Sequence, residues 1–310
     1  MAEPAPKAVG KSKATPETAL AYLELAAKFL AGRGAASARL DAELLLAEVL
    51  ASGQGGELAQ LERALGRVEV DAYRELIRRR GEGEPVAHLT GRREFWSRSF
   101  VVTPDVLVPR PETELVVDRA LAWIEATGAR DRALRVLDLG TGSGALALAL
   151  AAELPAATVV AVDVSPAAAA IAERNAEAAG VSARVRVVVS DWTAALPADA
   201  RVDLVVANPP YIRSGDLASL PPEVRRDPVL ALDGGADGLD AYRRIAVEAA
   251  RVLDPGGALF CEVGAGQAPE VAALLGAAGF EDVATFADLA GIARVVGGNA
   301  PVAAERRASS

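Results

Sequence analysis

Four consecutive residues have the types and order needed to hold a flat nitrogen-containing group. Asn208, Pro209, Pro210 and Tyr211 follow the apolar run VDLVVA at 202–207. This run has the length and β-branched content of a buried strand, which the two prolines end abruptly. An NH2 group fits between two acceptors, the Asn208 side-chain oxygen and the Pro209 carbonyl, with the Tyr211 ring against its face. A strand terminator with a surface tyrosine is the simpler alternative.

A glycine-rich turn lies earlier in the chain, directly after another predicted strand. Residues 136–144 read VLDLGTGSG and precede a predicted helix. Glycines let a backbone approach a ligand closely, and Asp163, 23 residues after Gly140, is placed to accept both hydroxyls of a ribose. With Ala145, the turn also satisfies the dinucleotide pattern G-x-G-x-x-A, so an NAD-dependent enzyme remains open at this point.

The ends of the third and fourth predicted strands help to separate these alternatives, and the fourth is the strand that precedes NPPY. Asp191 and Trp192 follow the predicted strand 184–189, where they could hydrogen-bond to an adenine and stack on it. Four successive strand ends therefore carry polar or glycine-rich motifs, and the combination is more specific than any single motif. A dehydrogenase also needs a proton donor near its substrate, and the one histidine, His88, lies outside the predicted sheet.

Strands alternate with helices after residue 134, which predicts a parallel sheet covered on both faces. Strands are expected near 134–138, 158–162, 184–189, 202–207 and 257–263. Two more, at 280–286 and 292–296, follow each other without a helix, so we expect an antiparallel pair at the sheet edge. The predicted fold class is therefore α/β.

The chain before this sheet has a different pattern. Residues 1–14 are rich in Ala, Pro and Lys and are expected to be disordered. Leucines at helical spacing predict a small helical bundle over 15–84. Residues 85–111 predict a linker that contains a β-hairpin. The sheet domain is expected over 112–298, with a tail at 299–310.

Composition limits the classes of protein that this chain can be. It has 310 residues, 51% of them hydrophobic, and a net charge of −9, which counts against a broad nucleic-acid surface. One cysteine, Cys261, and one histidine, His88, exclude an internal disulfide and argue against a Cys/His metal site. No apolar run approaches the roughly 18 residues that cross a bilayer, so we expect a cytoplasmic protein.

The motifs together resemble those of class I S-adenosylmethionine-dependent methyltransferases that modify planar nitrogens. Other segments narrow the resemblance: PVAHLTG at 85–91, REFW at 93–96, VPRPETE at 108–114 and DW at 191–192. With the helical bundle, they resemble the HemK/PrmC family, the N(5)-glutamine methyltransferases of peptide chain release factors. The resemblance covers nearly the whole chain.

This resemblance implies a Rossmann-like seven-stranded sheet with an antiparallel last strand, preceded by the helical bundle. It implies that S-adenosylmethionine is the cofactor and S-adenosylhomocysteine its product, and we expect no metal because the chain has one cysteine and one histidine. The cofactor-binding residues it implies are Gly140, Thr141, Gly142, Ser143, Gly144, Asp163, Trp192 and Asn208, to which we add Asp191 from its position. The NPPY segment would bind the target glutamine in the GGQ loop of class I release factors, with Asn208, Pro209 and Tyr211 as catalytic residues.

The roles of four other residues stay open: His88, Arg110, Glu112 and Glu262. Arg110 is either part of a solvated helix start or a substrate-side residue, and its place beside the NPPY edge in the resembling family favours substrate binding. His88 is expected to be a structural or hinge residue rather than a base. Cys261 is expected to be a small buried hydrophobe, and Glu262 to cap backbone donors at its strand end.

A class I release factor is thus the expected partner of a monomeric protein that binds neither DNA nor a membrane. The closest alternative is a nucleic-acid adenine N(6)-methyltransferase, which uses the same NPPY chemistry on a flipped base. A non-catalytic nucleotide-binding or scaffold protein of the same fold is a third possibility. Retention of every acceptor in NPPY disfavours it.

Overall fold

The computed structural model describes residues 18–52 and 61–302, and the chain divides into two compact units between Thr90 and Gly91. The segment 85–111, expected to be a linker, contributes to both units. Its first residues belong to the helical unit, and its hairpin belongs to the sheet unit. The tails expected at 1–14 and 299–310 fall outside the described residues, apart from 299–302.

The first unit is helical. Its helices are α1 (Ala19–Gly32), α2 (Ala38–Ser52), α3 (Arg67–Gly81) and the short α4 (Val86–Thr90). Helices α1 to α3 turn apolar residues toward one core, as amphipathic helices do when they pack together. The large side chains of this core are Leu23, Leu30, Leu45, Leu46, Leu50, Leu65, Tyr73 and Ile77.

An ion pair lies inside this helical unit. The Arg80 Nε donates a hydrogen bond to the Asp41 Oδ2 at 2.7 Å, and the two side chains are only 9% and 10% exposed. A buried charge is costly unless a partner of opposite charge remains beside it. The contact between α2 and α3 therefore depends on both residues.

The second unit begins with the predicted hairpin, which the structure confirms. Strands β1 (Arg92–Phe95) and β2 (Arg98–Val101) pair antiparallel. Trp96 and Ser97 connect them, with φ of 50° and 55°. A two-residue turn with both φ values positive matches the natural twist of a hairpin. Phe100 is buried and joins the core of the sheet.

Seven strands within the described residues form the main sheet. They are β3 (Arg135–Leu139), β4 (Thr158–Asp163), β5 (Val185–Val189), β6 (Val202–Ala207), β7 (Leu253–Glu262), β8 (Glu281–Ala287) and β9 (Ala293–Asn299). Their order across the sheet is β5-β4-β3-β6-β7-β9-β8. The pairs from β5 to β7 are parallel, and β9 is antiparallel to both neighbours. The predicted fold class, with its antiparallel last strand, is confirmed.

Helices cover both faces of the sheet. They are α5 (Glu114–Ala126), α6 (Ala145–Glu153), α7 (Pro166–Ala178), α8 (Asp240–Val252) and α9 (Ala268–Ala277). Successive residues of β6 enter opposite cores, because side chains alternate along a strand. Helix α6 is buried around most of its circumference, which explains its nearly all-apolar sequence. Cys261 is buried in the second core, as expected.

The chain order creates a crevice between β3 and β6. From β3 the chain proceeds outward through β4 and β5, then returns to place β6 on the other side of β3. Leu139 pairs with Ala207 in this parallel register, so Gly140 and Asn208 leave the sheet side by side. Open α/β sheets bind ligands at such a reversal of strand order.

Replacing Asp41 by Ala tests the buried ion pair of the helical unit. The Arg80 guanidinium would stay buried without the Asp41 carboxylate, so we expect the free energy of unfolding to fall by about 3–5 kcal/mol. Urea unfolding followed by far-ultraviolet circular dichroism measures the loss. Asp71→Ala is the matched control, because Asp71 is 65% exposed and lies 3.8 Å from Arg67. Equal stability of the two variants would show that the buried pair contributes nothing.

Candidate functional site

Two cavities open at the carboxyl edge of the sheet and meet at Asn208. The larger, of about 300 Å³, lies over the ends of β3, β4 and β5. The smaller, of about 220 Å³, lies beside the ends of β6 and β7. Leu107, Asn208 and Ala231 line both cavities. The two cavities are therefore neighbours, and Asn208 belongs to the walls of both.

The glycine-rich turn lines the larger cavity through residues 140–143. Gly140 and Gly142 have φ of 75° and 55°, and a Cβ at either position would meet no atom within 4 Å. The backbone is therefore open to a ligand. Gly144 is not among the lining residues: it has φ of 87° and is the N-cap residue just before α6, where a Cβ would lie 3.2 Å from Leu148.

Asp163 is held rigidly at the end of β4, on the wall of the larger cavity. Its Oδ2 accepts the Gly142 N–H at 2.8 Å, and its Oδ1 accepts the Ser165 N–H at 2.9 Å. Burial raises the pKa of this carboxyl, although the backbone hydrogen bonds oppose the rise. Each oxygen can accept a further hydrogen bond, as the ribose prediction requires.

Asp138 also lines the larger cavity, and sequence reasoning missed it. Its Oδ2 accepts hydrogen bonds from the Thr141 hydroxyl at 2.7 Å and the Ala147 N–H at 3.1 Å. Its Oδ1 is buried and accepts none from the residues described. Burial raises the pKa of this fully buried carboxyl to about 7. The signal was present, since an acid inside an apolar strand is unusual unless it is paired.

Asp191 and Trp192 follow β5 and line the larger cavity. Trp192 has φ of 51°, a conformation that a bulky residue rarely adopts. Such conformations cluster where a side chain must be held at a ligand site. Asp191 is exposed and lies 3.5 Å from the Arg244 guanidinium. The indole and carboxylate are therefore both available at this wall.

Asn208 has a different hydrogen-bonding situation at each end of its amide. Its Nδ2 donates to the Thr113 hydroxyl at 3.1 Å. Its Oδ1 is buried and accepts no hydrogen bond from any residue in 18–52 or 61–302. A buried acceptor without a donor is unfavourable. The site therefore favours a molecule that brings an N–H to this oxygen.

The rest of the tetrapeptide divides between the two cavities. Pro210 lines the larger one, and Pro209 and Tyr211 line the smaller one. The Tyr211 hydroxyl donates a long hydrogen bond of 3.5 Å to the Glu262 Oε1. Burial raises the pKa of Tyr211 to about 12, so the ring stays a neutral phenol at physiological pH.

Close packing of a glycine loop fixes the backbone of the tetrapeptide. A Cβ at Gly234 would lie 2.8 Å from the Tyr211 Cα and 2.9 Å from the Pro210 oxygen. A Cβ at Gly238 would lie 2.5 Å from the Tyr211 oxygen. The same oxygen accepts a hydrogen bond from the Gln267 side chain at 3.0 Å. Only glycine at both positions permits this approach.

Glu262 does not have the role expected from the sequence. We expected it to cap backbone donors, but its hydrogen-bond donors are the hydroxyls of Thr113, at 2.5 Å, and Tyr211. Thr113 and Glu262 are each 3% exposed. Burial is the largest cause that raises the pKa of Glu262, to about 7. Sequence reasoning gave Thr113 no role, although this residue lies in the VPRPETE segment.

Arg110 lies on the wall of the smaller cavity and forms an ion pair with Asp227. The Asp227 side chain is fully buried, and burial raises its pKa to about 6. This pair connects the 105–110 segment to the 224–232 segment, and both segments line the two cavities. Sequence reasoning missed the second segment, because no motif marks it.

The strand order and the strand-end motifs define a class I methyltransferase. The family model called methyltransferase small domain matches residues 117–220. The family model called PrmC N-terminal domain matches residues 21–91. The solved hMettl16 catalytic domain, in complex with MAT2A 3'UTR hairpin 6, has a similar fold with a TM-score of 0.54. It is 18% identical and covers 70% of this chain and 82% of that one.

Relatives in sequence are more specific. A release factor glutamine methyltransferase of Geobacter sulfurreducens is 45% identical over 87% of this chain and 92% of the relative. Another, of Bordetella pertussis, is 46% identical over 84% of this chain and 94% of the relative. The chain belongs to the release factor glutamine methyltransferase family.

Replacing Asp138 by Asn tests the cost of burying this carboxyl. The folded protein keeps the proton up to about pH 7, whereas the unfolded carboxyl loses it near its ordinary pKa of 3.8. The folded state thus binds more protons in this interval, and the wild-type free energy of unfolding falls relative to the variant as pH rises. Urea unfolding should show the variant gaining about 1–3 kcal/mol between pH 5 and pH 8.

The exposed Asp191→Asn variant is the control and should not reproduce this trend. A stability difference between wild type and Asp138→Asn that does not change with pH would contradict the raised pKa.

Proposed function

We propose that this protein transfers a methyl group from S-adenosylmethionine to the side-chain amide nitrogen of the GGQ glutamine of class I peptide chain release factors. The observation that carries the proposal is the buried Oδ1 of Asn208, which accepts no hydrogen bond from the described residues, on a residue that lines both cavities. Family membership supports glutamine as the target, since the relatives carry that name.

The larger cavity has the groups that S-adenosylmethionine requires. Asp163 would accept the ribose hydroxyls, and Trp192 and Asp191 would stack on and hydrogen-bond to the adenine. The Oδ1 of Asp138 is an acceptor suited to the ammonium group, and the open backbone of 140–143 permits close approach. The cofactor supplies a methyl group already activated by a positively charged sulfur.

The smaller cavity would hold the target glutamine. A carboxamide nitrogen is a poor nucleophile, because its lone pair is delocalised into the carbonyl, so positioning must carry much of the catalysis. The Asn208 Oδ1 and the Pro209 carbonyl would accept the two amide hydrogens, and the Tyr211 ring would hold the amide plane. The nitrogen then faces the larger cavity, and its proton leaves during or after methyl transfer.

Charged side chains at the smaller cavity suit a protein loop. Arg110 and Arg294 line it, together with Glu112. Arg110 is 33% exposed, and a guanidinium has five N–H donors. Its ion pair with Asp227 leaves donors for main-chain carbonyls of a bound loop. We therefore propose Arg110 as a substrate-binding residue.

We further propose that the protein works as a cytoplasmic monomer on a protein substrate, without DNA and without a metal ion. The proposed substrate is a translation factor, which supports a cytoplasmic location. The net charge of −9 disfavours binding to nucleic acid. One histidine and one cysteine offer few metal ligands. In the part of the chain that the structure describes, the helices lack the length and apolar character needed to cross a membrane.

Transfer of labelled methyl to a purified class I release factor tests the proposed function. We expect label on the intact factor and none on a copy whose GGQ glutamine is replaced by alanine. Duplex DNA and a structured RNA serve as further substrates in the same assay. Label on either nucleic acid, or equal label on both forms of the factor, would overturn the glutamine assignment.

Asn208→Ala tests the proposed acceptor. We expect turnover to fall by roughly 100- to 1,000-fold, as when one preorganised hydrogen-bonding group is removed from a reacting centre. Affinity for S-adenosylmethionine, measured by calorimetry, should change by only a few fold. Asn299→Ala, in β9, is the matched control and should retain turnover. Unchanged turnover in Asn208→Ala would remove this residue from the mechanism.

We also propose that the helical unit takes part in recognition of the release factor. Deletion of residues 1–90 tests this proposal. The division of the chain at Thr90 makes this the natural point of truncation. We expect affinity for the release factor to fall at least tenfold, while affinity for S-adenosylmethionine stays within a few fold of the full chain. Equal loss of both affinities would mean that the helical unit is needed for folding instead.

A further inference from the structure

We propose that Thr113 and Glu262 are positioning residues, which hold the Asn208 amide with its oxygen, rather than its nitrogen, toward the target glutamine. Thr113 lies just before α5, and Glu262 is the last residue of β7. The inference rests on the proposed function, because it concerns how Asn208 is prepared to accept hydrogen bonds from a glutamine amide.

Asn208 needs such a constraint because an asparagine amide has nearly the same shape in either orientation. Its oxygen only accepts hydrogen bonds, and its nitrogen only donates them. The last side-chain torsion of asparagine has a broad two-fold preference, so it does not select one orientation by itself. An NH2 group facing the target NH2 group would set donor against donor. Methyl transfer therefore depends on what selects the orientation.

The Thr113 hydroxyl can make this selection because it has a single hydrogen. Its Oγ1 lies 2.5 Å from the Glu262 Oε2 and 3.1 Å from the Asn208 Nδ2. An ionised carboxylate only accepts, so the hydroxyl hydrogen points to Glu262. The hydroxyl oxygen can then only accept from Asn208. The Nδ2 must face Thr113, and the Oδ1 is left as the acceptor without a donor, on a residue that lines both cavities.

The hydroxyl of Tyr211 donates to the same carboxylate. It lies 3.5 Å from the Oε1 of Glu262. The Tyr242 hydroxyl donates to the main-chain carbonyl of Glu262 at 3.0 Å, so it supports the backbone and not the carboxylate. Glu262 is therefore connected to two residues of the tetrapeptide. It contacts Asn208 through the Thr113 hydroxyl, and it contacts Tyr211 through the hydroxyl of Tyr211 itself.

The charge of Glu262 decides whether the chain of hydrogen bonds works in this direction. Burial raises its pKa to about 7, with Glu112 adding to the rise and Arg294 opposing it. Once protonated, the carboxyl can donate to the Thr113 hydroxyl, which is then free to donate to Asn208. That reversal favours the wrong amide orientation. Asp138 and Asp227 have raised pKa values of about 7 and 6, so the test compares variants instead of relying on a pH profile alone.

A double-mutant cycle measures whether Thr113 acts through Asn208. Thr113→Val removes the hydroxyl at nearly constant volume and should lower kcat about 10- to 100-fold, with a smaller effect on KM for the release factor. Thr113→Ser should restore kcat to within about threefold. In the Asn208→Ala background, Thr113→Val should change kcat less than about twofold. An equal loss in both backgrounds would mean that Thr113 only supports the fold, and would overturn the proposal.

Nuclear magnetic resonance gives a second readout that needs no substrate. The chain has three asparagines, Asn175, Asn208 and Asn299, so labelling asparagine with nitrogen-15 gives three pairs of side-chain amide signals. Thr113→Val should move the Asn208 pair and leave the other two in place. In the wild type, the Asn208 pair should also shift between pH 6 and pH 8, as Glu262 loses its proton. Glu262→Gln should remove this pH-dependent shift. Asn208 signals that are identical in wild type and Thr113→Val would overturn the proposal.

Tyr242→Phe is the matched control for loss of a buried hydroxyl that contacts Glu262 through its backbone only. This variant should keep kcat within twofold of the wild-type value. Its Asn208 signals should stay within one line width of their wild-type positions. The two readouts also separate the failures. If the release factor is not methylated but the Asn208 signals respond as expected, the proposed function fails and the positioning role stands. If the factor is methylated but the signals do not respond, only the positioning role fails.

Discussion

The parallel pairing of β3 with β6 is the interaction on which the site depends. These strands are neighbours in the sheet but are separated in sequence by two complete strand–helix units. Their register places Leu139 opposite Ala207, so the glycine-rich turn and the NPPY tetrapeptide leave the sheet at the same level. A shift of register would separate the two cavities that meet at Asn208. The core residues that hold these two strands together therefore affect the reaction only by keeping the two motifs at the correct distance.

Buried polar groups are concentrated at this edge of the sheet. Asp138, Asp227 and Glu262 are all buried carboxyl groups, and burial raises the pKa of each. Burial of a carboxyl group lowers the stability of the folded state. Such groups are found where hydrogen-bonding groups must be held rigidly, as at functional sites. The arrangement suits a reaction whose main requirement is precise placement of a weakly nucleophilic nitrogen. Acceptors in fixed positions do this work, and the cofactor brings the activated methyl group.

Much of the fold could be predicted because its signals are local. The alternation of apolar strands and helices, the glycine-rich turn and the Pro-Pro strand end all lie within short windows of sequence. The least accurate strand boundary was the start of β7, expected near 257 and found at Leu253. Leu253 pairs with Val202, across an irregularity in the ladder, and no local pattern reports such a contact. Gly144 shows the same limit, because its neighbour Ala172 comes from α7.

The sequence by itself determined the fold class, the order of the motifs and which motif follows each of the first four strands of the sheet, because periodicity and turn chemistry act between near neighbours. Only the tertiary structure decided which buried groups support them. Thr113 is 95 positions from Asn208 and 149 from Glu262, and Arg110 is 117 from Asp227. A threonine in a helix start and a glutamate at a strand end have no distinctive local pattern. Their meaning appears when folding brings one hydroxyl between an amide and a carboxylate, because a hydrogen bond depends on distance in space and not along the chain.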